Sequence, residues 1–108
     1  MERINPYKDK RSEEVIRELA ARFLSIESNR TSLVTVTRVD LYNRGKNATI
    51  LFTVLPESKE KAVLDFTKRK RAEFRDFMKK ESKLPIIPFI DFEVDFGEKN
   101  RQRVDELV

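Results

Sequence analysis

The chain has no cysteine, no histidine and no tryptophan, and only two glycines among its 108 residues. Without cysteine or histidine there is no thiolate nucleophile, no imidazole base and no Cys/His zinc site. Gly45 and Gly97 stand too far apart to build a phosphate-cradling P-loop or a glycine-rich dinucleotide loop. Catalysis would fall to carboxylates, lysine, tyrosine or serine alone, so a non-enzymatic protein without cofactor or metal is expected. The lack of cysteine also excludes disulfides. No apolar run approaches a membrane span, and the opening Met1-Glu2-Arg3-Ile4-Asn5 lacks the apolar core of a secretory leader. A cytoplasmic protein with no membrane partner is the expectation.

What the chain does have is charge and phenylalanine. Charged residues make up 39%, the hydrophobic set another 39%, and eight residues are Phe. The apolar residues are periodic rather than scattered, which fits one folded domain with a single core. The net charge of +4 is unevenly placed. Residues 57–83 carry ten Lys/Arg against six Asp/Glu, while residues 91–108 carry three against six. Such a dipolar chain favours oriented docking on a polyanion.

Residues 1–11 hold no periodic pattern and read as a flexible basic arm, with the folded domain running over 12–108. Ser12 is expected to cap a helix whose apolar face is Val15, Ile16, Leu19, Ala20, Phe23 and Leu24. From Leu33 the period falls to two. Val34 and Val36 then disagree in phase with Val39 and Leu41, which predicts a β-bulge near Thr37-Arg38. Asn43-Arg44-Gly45 reads as a hairpin turn with Gly at a positive φ. The returning strand points Ala48, Ile50, Phe52 and Val54 one way, and Thr49, Leu51 and Thr53 the other. Pro56 stops it.

Ser58 is expected to cap a central amphipathic helix that runs to about Ser82. Its apolar stripe is Val63, Phe66, then Phe74, Phe77 and Met78. The stripe lapses at Lys70, inside the run Lys68-Arg69-Lys70-Arg71, which no acid interrupts in sequence. A missing apolar position forfeits burial, so the coincidence predicts a bend that also presents charge. Pro85 and Pro88 end the helical stretch. A third strand is expected to turn Ile90, Phe92, Val94 and Phe96 inward and Asp91, Glu93 and Asp95 outward, with Gly97 ending it. A short closing helix through Val104, Leu107 and Val108 would dock by its apolar side. The order is α-β-β-α-(bend)-α-β-α: an α+β domain with helices on one face of a three-stranded sheet. Crossover handedness makes the third strand parallel to the second.

Several segments are similar to one family in the same order. Val34-Thr35-Val36-Thr37-Arg38-Val39 and Ala48-Thr49-Ile50-Leu51-Phe52-Thr53-Val54-Leu55 resemble the hairpin of bacterial ribosome-binding factor A. Phe74-Arg75-Asp76-Phe77-Met78 resembles its second helical arm, Pro88-Phe89-Ile90-Asp91-Phe92 the start of its last strand, and Val104-Asp105-Glu106-Leu107-Val108 its closing helix. The resemblance covers roughly Ser12 to the end. It implies a type II K-homology-like fold and an assembly factor, monomeric when free. Its implied partners are the 30S ribosomal subunit and 16S rRNA, with late rRNA maturation and cold adaptation as its setting. The family bends between its central helices at an Ala-x-Gly element. The matching residues here are Lys70-Arg71-Ala72, of which only Ala72 is small.

The candidate RNA-binding residues are Lys68, Arg69, Lys70, Arg71, Ala72, Arg75, Lys79 and Lys80. The driving force would be Coulomb attraction with counterion release. Lys8, Lys10 and Arg11 on the arm, and Arg38, Arg44 and Lys46 near the hairpin, are secondary candidates. Asp91, Glu93 and Asp95 spread their carboxylates along about 13 Å of strand, too far for one metal ion. They read instead as acids that deter edge-to-edge pairing. The Phe residues at 52, 66, 74, 77, 92 and 96 read as core. Phe89, Tyr42 and Leu51 fall outside those faces and are the only candidates for stacking or partner contact. The competing function is a small α+β interaction module that docks its basic helix on an acidic protein. A carboxylate-dependent nuclease needs clustered acids, and the spacing argues against it.

Overall fold

The computed structural model describes residues 6–27 and 32–107, with side chains over 10–26 and 32–102. Helix α1 (Pro6–Glu27) precedes strands β1 (Leu33–Tyr42) and β2 (Asn47–Leu55). A 3-10 turn (Glu57–Lys59) leads into α2 (Glu60–Arg69) and α3 (Arg71–Glu81), followed by β3 (Phe89–Val94) and α4 (Phe96–Leu107). The sheet order is β1-β2-β3, with β1–β2 antiparallel and β2–β3 parallel. The element order is the one expected, and the third strand is parallel to the second and adjacent to it.

The core forms where strand period and helix period meet. Ala48, Ile50, Phe52 and Val54 on β2 are buried, as are Ile90, Phe92 and Val94 on β3. Against them pack Ile16, Leu19, Ala20, Phe23 and Leu24 of α1, and Phe74 and Met78 of α3. A chain of aromatic contacts ties the layers together. Phe52 and Phe92 ring centroids are 6.5 Å apart, Phe92 and Phe74 5.9 Å, and Phe74 and Phe23 5.2 Å.

The β-bulge is present: pairing shifts register between Val36 and Arg38, leaving Thr37 without a strand partner. Its hydroxyl lies 2.6 Å from Asp95 Oδ2 and 3.2 Å from Leu51 O. The Thr37 hydrogen bond, with a second from the Glu98 amide, outweighs partial burial and holds the Asp95 carboxyl below the usual carboxylate range. A lowered folded pKa contributes stability above the ordinary carboxylate pKa, and that contribution disappears as pH falls through the folded value. Thr37→Val is therefore expected to cost about 1–3 kcal/mol near neutral pH, the range for a hydrogen bond to a charged group. Urea melts across pH should show that cost fading in acid. A cost that did not fade as pH fell through the carboxylate range would mean the carboxylate is not the partner that matters.

The hairpin turn carries more strain than one glycine explains. Asn43, Arg44 and Gly45 have φ of 54, 57 and 81° in succession. Asn43 tolerates this region through its short side chain, and its Nδ2 donates to Asn47 Oδ1 across 3.1 Å.

Five local expectations are corrected. First, α1 begins at Pro6 rather than Ser12, so residues 6–11 are helical rather than a loose arm; residues 1–5 lie outside the described residues. Proline in the first helical turn is pre-set for helix, and no breaker follows it. Second, the cap of α2 is Lys59, not Ser58. The 3-10 turn supplies the bonds, with Lys59 N–H donating to Pro56 O across 3.0 Å, and no side chain serves as cap. Third, of the Lys70-Arg71-Ala72 stretch that matches the family's bend, only Lys70 leaves helical geometry, and Arg71 and Ala72 already belong to α3.

Fourth, β3 ends at Val94, and Phe96 is 62% exposed in the first turn of α4 rather than in the core. Asp95 is the reason: its Oδ1 accepts from the Glu98 amide at 3.0 Å and starts a helix that contains Gly97. Fifth, Leu51 is buried at 8% exposure, so it is not available to a partner. The docking of Val104, Leu107 and Val108 lies outside the described side chains. α4 contacts β2, and Lys99 ties it to Glu57 and Glu60; the hydrogen bonds that Lys99 donates to the two carboxylates raise its ammonium pKa.

Candidate nucleic-acid interface

The break between α2 and α3 is built by side chains on both sides of it. Thr67 is fully buried, and its hydroxyl donates to Leu64 O at 2.8 Å, a back-bond of the kind that bends helices. Three residues on, Lys70 adopts φ −96°, ψ 9°, and its N–H is shared between Phe66 O and Thr67 O at 3.1 and 3.2 Å. Its ammonium lies 5.8 Å from the Phe66 ring centre and bonds the Glu73 carboxylate at 3.2 Å. The lapse in the apolar stripe is thus filled by a lysine stem and a buried threonine. Thr67, a polar residue among apolar neighbours, is a bend signal that the adjacent charge run overshadows in the sequence.

The four-cation run is relieved by acid in three dimensions, contrary to its appearance in sequence. Lys68 Nζ and Arg71 Nη1 approach Asp91 Oδ1 at 3.0 and 3.6 Å, and Arg71 Nε also donates to Lys68 O. Asp91 in turn accepts from the Phe92 amide at 2.9 Å. Partial burial alone would raise the Asp91 pKa, but the bonds from Lys68 and Phe92 and the charges of Lys68 and Arg71 together hold it below the usual range. β3 is an edge strand, and this cluster occupies its open side, where Asp91 takes up a main-chain donor that another strand would need.

The remaining candidates divide by what holds them. Arg75 donates to Pro88 O at 3.0 Å and Ile87 O at 3.1 Å, and its guanidinium lies 4.5 Å from the Phe89 ring centre. Arg69, Lys79 and Lys80 are exposed, and no acid among the described residues pairs with them. Ala72 is exposed in the first turn of α3. Arg71, Arg75 and Lys79, spaced four residues apart, fall on one stripe of that helix.

The secondary candidates separate into two places. Lys10, Arg11 and Arg38 line one open groove of about 570 Å³ between α1 and the bulge. Arg17, which no sequence motif marks, lines it too, with Glu13 and Glu14 opposing the charge. The Lys8 side chain lies outside the described residues. Arg44 and Lys46 sit instead at the hairpin tip, where Lys46 O accepts the Phe89 amide at 2.8 Å. Lys46 therefore belongs beside Arg75 and Phe89 rather than with Arg38. Among the described residues no cluster of acids is arranged to hold a metal ion, and no helix is long and apolar enough to cross a membrane.

Comparison with known proteins identifies relatives of the whole domain. The family model described as Ribosome-binding factor A matches residues 8–108. The crystal structure of ribosome-binding factor A from Thermus thermophilus superposes with a TM-score of 0.70 at 16% identity, covering 79% of this chain and 92% of that one. A Thermotoga maritima protein, provisionally assigned as a ribosome binding factor A and solved in solution, gives 0.63 at 25% identity, covering 84% and 91%. No curated protein shows significant similarity.

Proposed function

The chain belongs to the ribosome-binding factor A family, and on that premise we propose that it is a non-enzymatic assembly factor that binds the 30S ribosomal subunit. It assists late 16S rRNA maturation in the cytoplasm and contacts RNA chiefly through phosphates. The observation that carries this reading is the broken helix pair. The break at Lys70 leaves Arg69 exposed at the end of α2, and α3 continues with exposed Lys79 and Lys80. Lys68, Lys70, Arg71 and Arg75 are pre-positioned by Asp91, Glu73 and two main-chain carbonyls. Cations held in place lose less side-chain entropy on meeting a phosphate than free ones do. The groove holding Lys10, Arg11 and Arg38, and the hairpin tip with Arg44 and Lys46, supply secondary contacts.

Ala72 tests the geometry. It is exposed in the turn that follows the break, so bulk added there enters the contact surface and not the core. Ala72→Leu is expected to weaken binding to purified small subunits by about tenfold or more while leaving stability within about 0.5 kcal/mol of wild type. Ala72→Gly should cost only about 1 kcal/mol of helix propensity and retain binding. Equal binding by the Leu variant would move the contact surface away from the helix break. A salt-insensitive affinity would favour an apolar protein contact instead, because salt screens charge pairing with RNA and with an acidic protein alike.

A further inference from the structure

Phe89 opens β3 with 64% of its surface exposed, yet it is held firmly. Arg75 covers it at 4.5 Å, and the guanidinium is itself pinned by Ile87 O and Pro88 O. Pro88, immediately before it, is fully buried. The Phe89 amide is bonded to Lys46 O, which brings the end of the hairpin alongside. Strand register then places Tyr42, Asn47 and Phe89 in one row across the sheet. Alternation puts that row on the face opposite Leu41, Ala48 and Ile90, which pack on the core. Tyr42 is 52% exposed. The row thus presents two aromatic rings two strand spacings apart, about 9–10 Å, with an amide side chain between them.

We propose that Phe89, backed by Arg75 and flanked by Lys46, is a stacking site for an unpaired base of the bound RNA. This deepens the reading of the central helices as a phosphate-binding surface and rests on it. The occupant follows from the surroundings of the ring. An apolar protein side chain would need no cations, whereas a nucleotide brings a flat base and a phosphate together. Here the ring can take the base, and Lys46, Arg75 and the neighbouring Arg71 can take the phosphates on either side. Base–aromatic stacking combined with a guanidinium is a recurrent arrangement for single-stranded nucleotides. The RNA target accordingly contains a bulged or looped nucleotide beside a duplex, rather than continuous duplex. Arg75 acts as a positioning residue for the ring as well as a cation.

The test uses two RNA hairpins with one stem sequence, one fully paired and one carrying a single bulged 2-aminopurine. At equal salt the full chain is expected to bind the bulged RNA about tenfold more tightly, with quenching of the fluorescent base. Phe89→Ala should remove both the preference and the quenching while leaving affinity for the paired hairpin unchanged. Phe89→Trp should keep them, and Phe89→Leu, apolar but without a ring, should not. Equal affinity of wild type for the two RNAs would overturn the proposal. So would a Phe89→Ala effect that is the same for both. Failure of the underlying RNA reading would look different: neither hairpin would bind with a salt-dependent affinity.

Discussion

Phe92→Ala is expected to destabilise the domain by about 3–5 kcal/mol, the cost of opening a cavity at a fully buried ring. Phe92 has no exposed surface, and its ring meets Phe52 on the neighbouring strand and Phe74 on α3. It therefore joins the sheet to the second helix of the broken pair, and through Phe74 to Phe23 of α1. The void would be bounded by strand and helix backbones, so relaxation can fill little of it. Against a total stability of about 5–15 kcal/mol, the decrease is large enough to shift the urea midpoint strongly. Phe96→Ala is the matched control. Two positions beyond Val94 the same strand parity would bury it, but its ring is 62% exposed at the start of α4, so its removal should cost no more than about 0.5 kcal/mol. Similar costs at the two sites would mean that β3 does not end at Val94.

The second large effect is electrostatic. Replacing Arg69, Lys79 and Lys80 together with glutamine is expected to flatten the dependence of log K on log salt by about 0.7–0.9 for each phosphate no longer neutralised. Three such phosphates amount to about two units or more of slope, which at low salt removes most of the affinity. These cations are exposed and pair with no acid among the described residues, so circular dichroism and the urea midpoint should remain those of wild type. The companion variant, Lys68→Gln with Arg71→Gln, separates binding from structure. It strands the Asp91 carboxylate at the edge of β3, so it should reduce stability as well as affinity. An unchanged slope in the triple variant, with a native fold, would remove this helix pair from the interface.

Much of the architecture was legible because apolar period is a physical requirement rather than a convention. On β2 every second residue had to be apolar to face the core, and Ala48, Ile50, Phe52 and Val54 are buried in that order. The bulge was legible for the same reason: Val36 and Val39 can both reach the core only if one extra residue intervenes. What failed were positions where one residue satisfies two rules. Asp95 continues the alternation of β3, and it is also an N-cap with Glu98 three residues on, a pattern that marks a helix start. The cap won, and Phe96 left the core with it. Ser58 suits a cap by type, but Pro56 starts a turn whose main-chain bonds make a side-chain cap unnecessary.

The candidate site was legible as a set of cations but not as an arrangement. Lys68 and Arg71 meet Asp91, and Arg75 meets Phe89, across 23, 20 and 14 residues of chain. Those pairings depend on β3 lying at the sheet edge next to β2, which hydrophobic pattern does not determine. Lys46 joined Phe89 for the same reason. Thr67 is the exception, since a polar residue on an apolar stripe three positions before the lapse was visible in the sequence.

The central claim, that this protein acts on the small ribosomal subunit, is tested most directly by sedimentation. A lysate of cells expressing the full chain is resolved on a sucrose gradient and each fraction blotted for it. The expected result is a peak coincident with free 30S subunits that diminishes as salt in the gradient is raised and is missing for the Arg69/Lys79/Lys80 variant. Sedimentation only with 70S particles, or with no ribosomal particle at all, would contradict it.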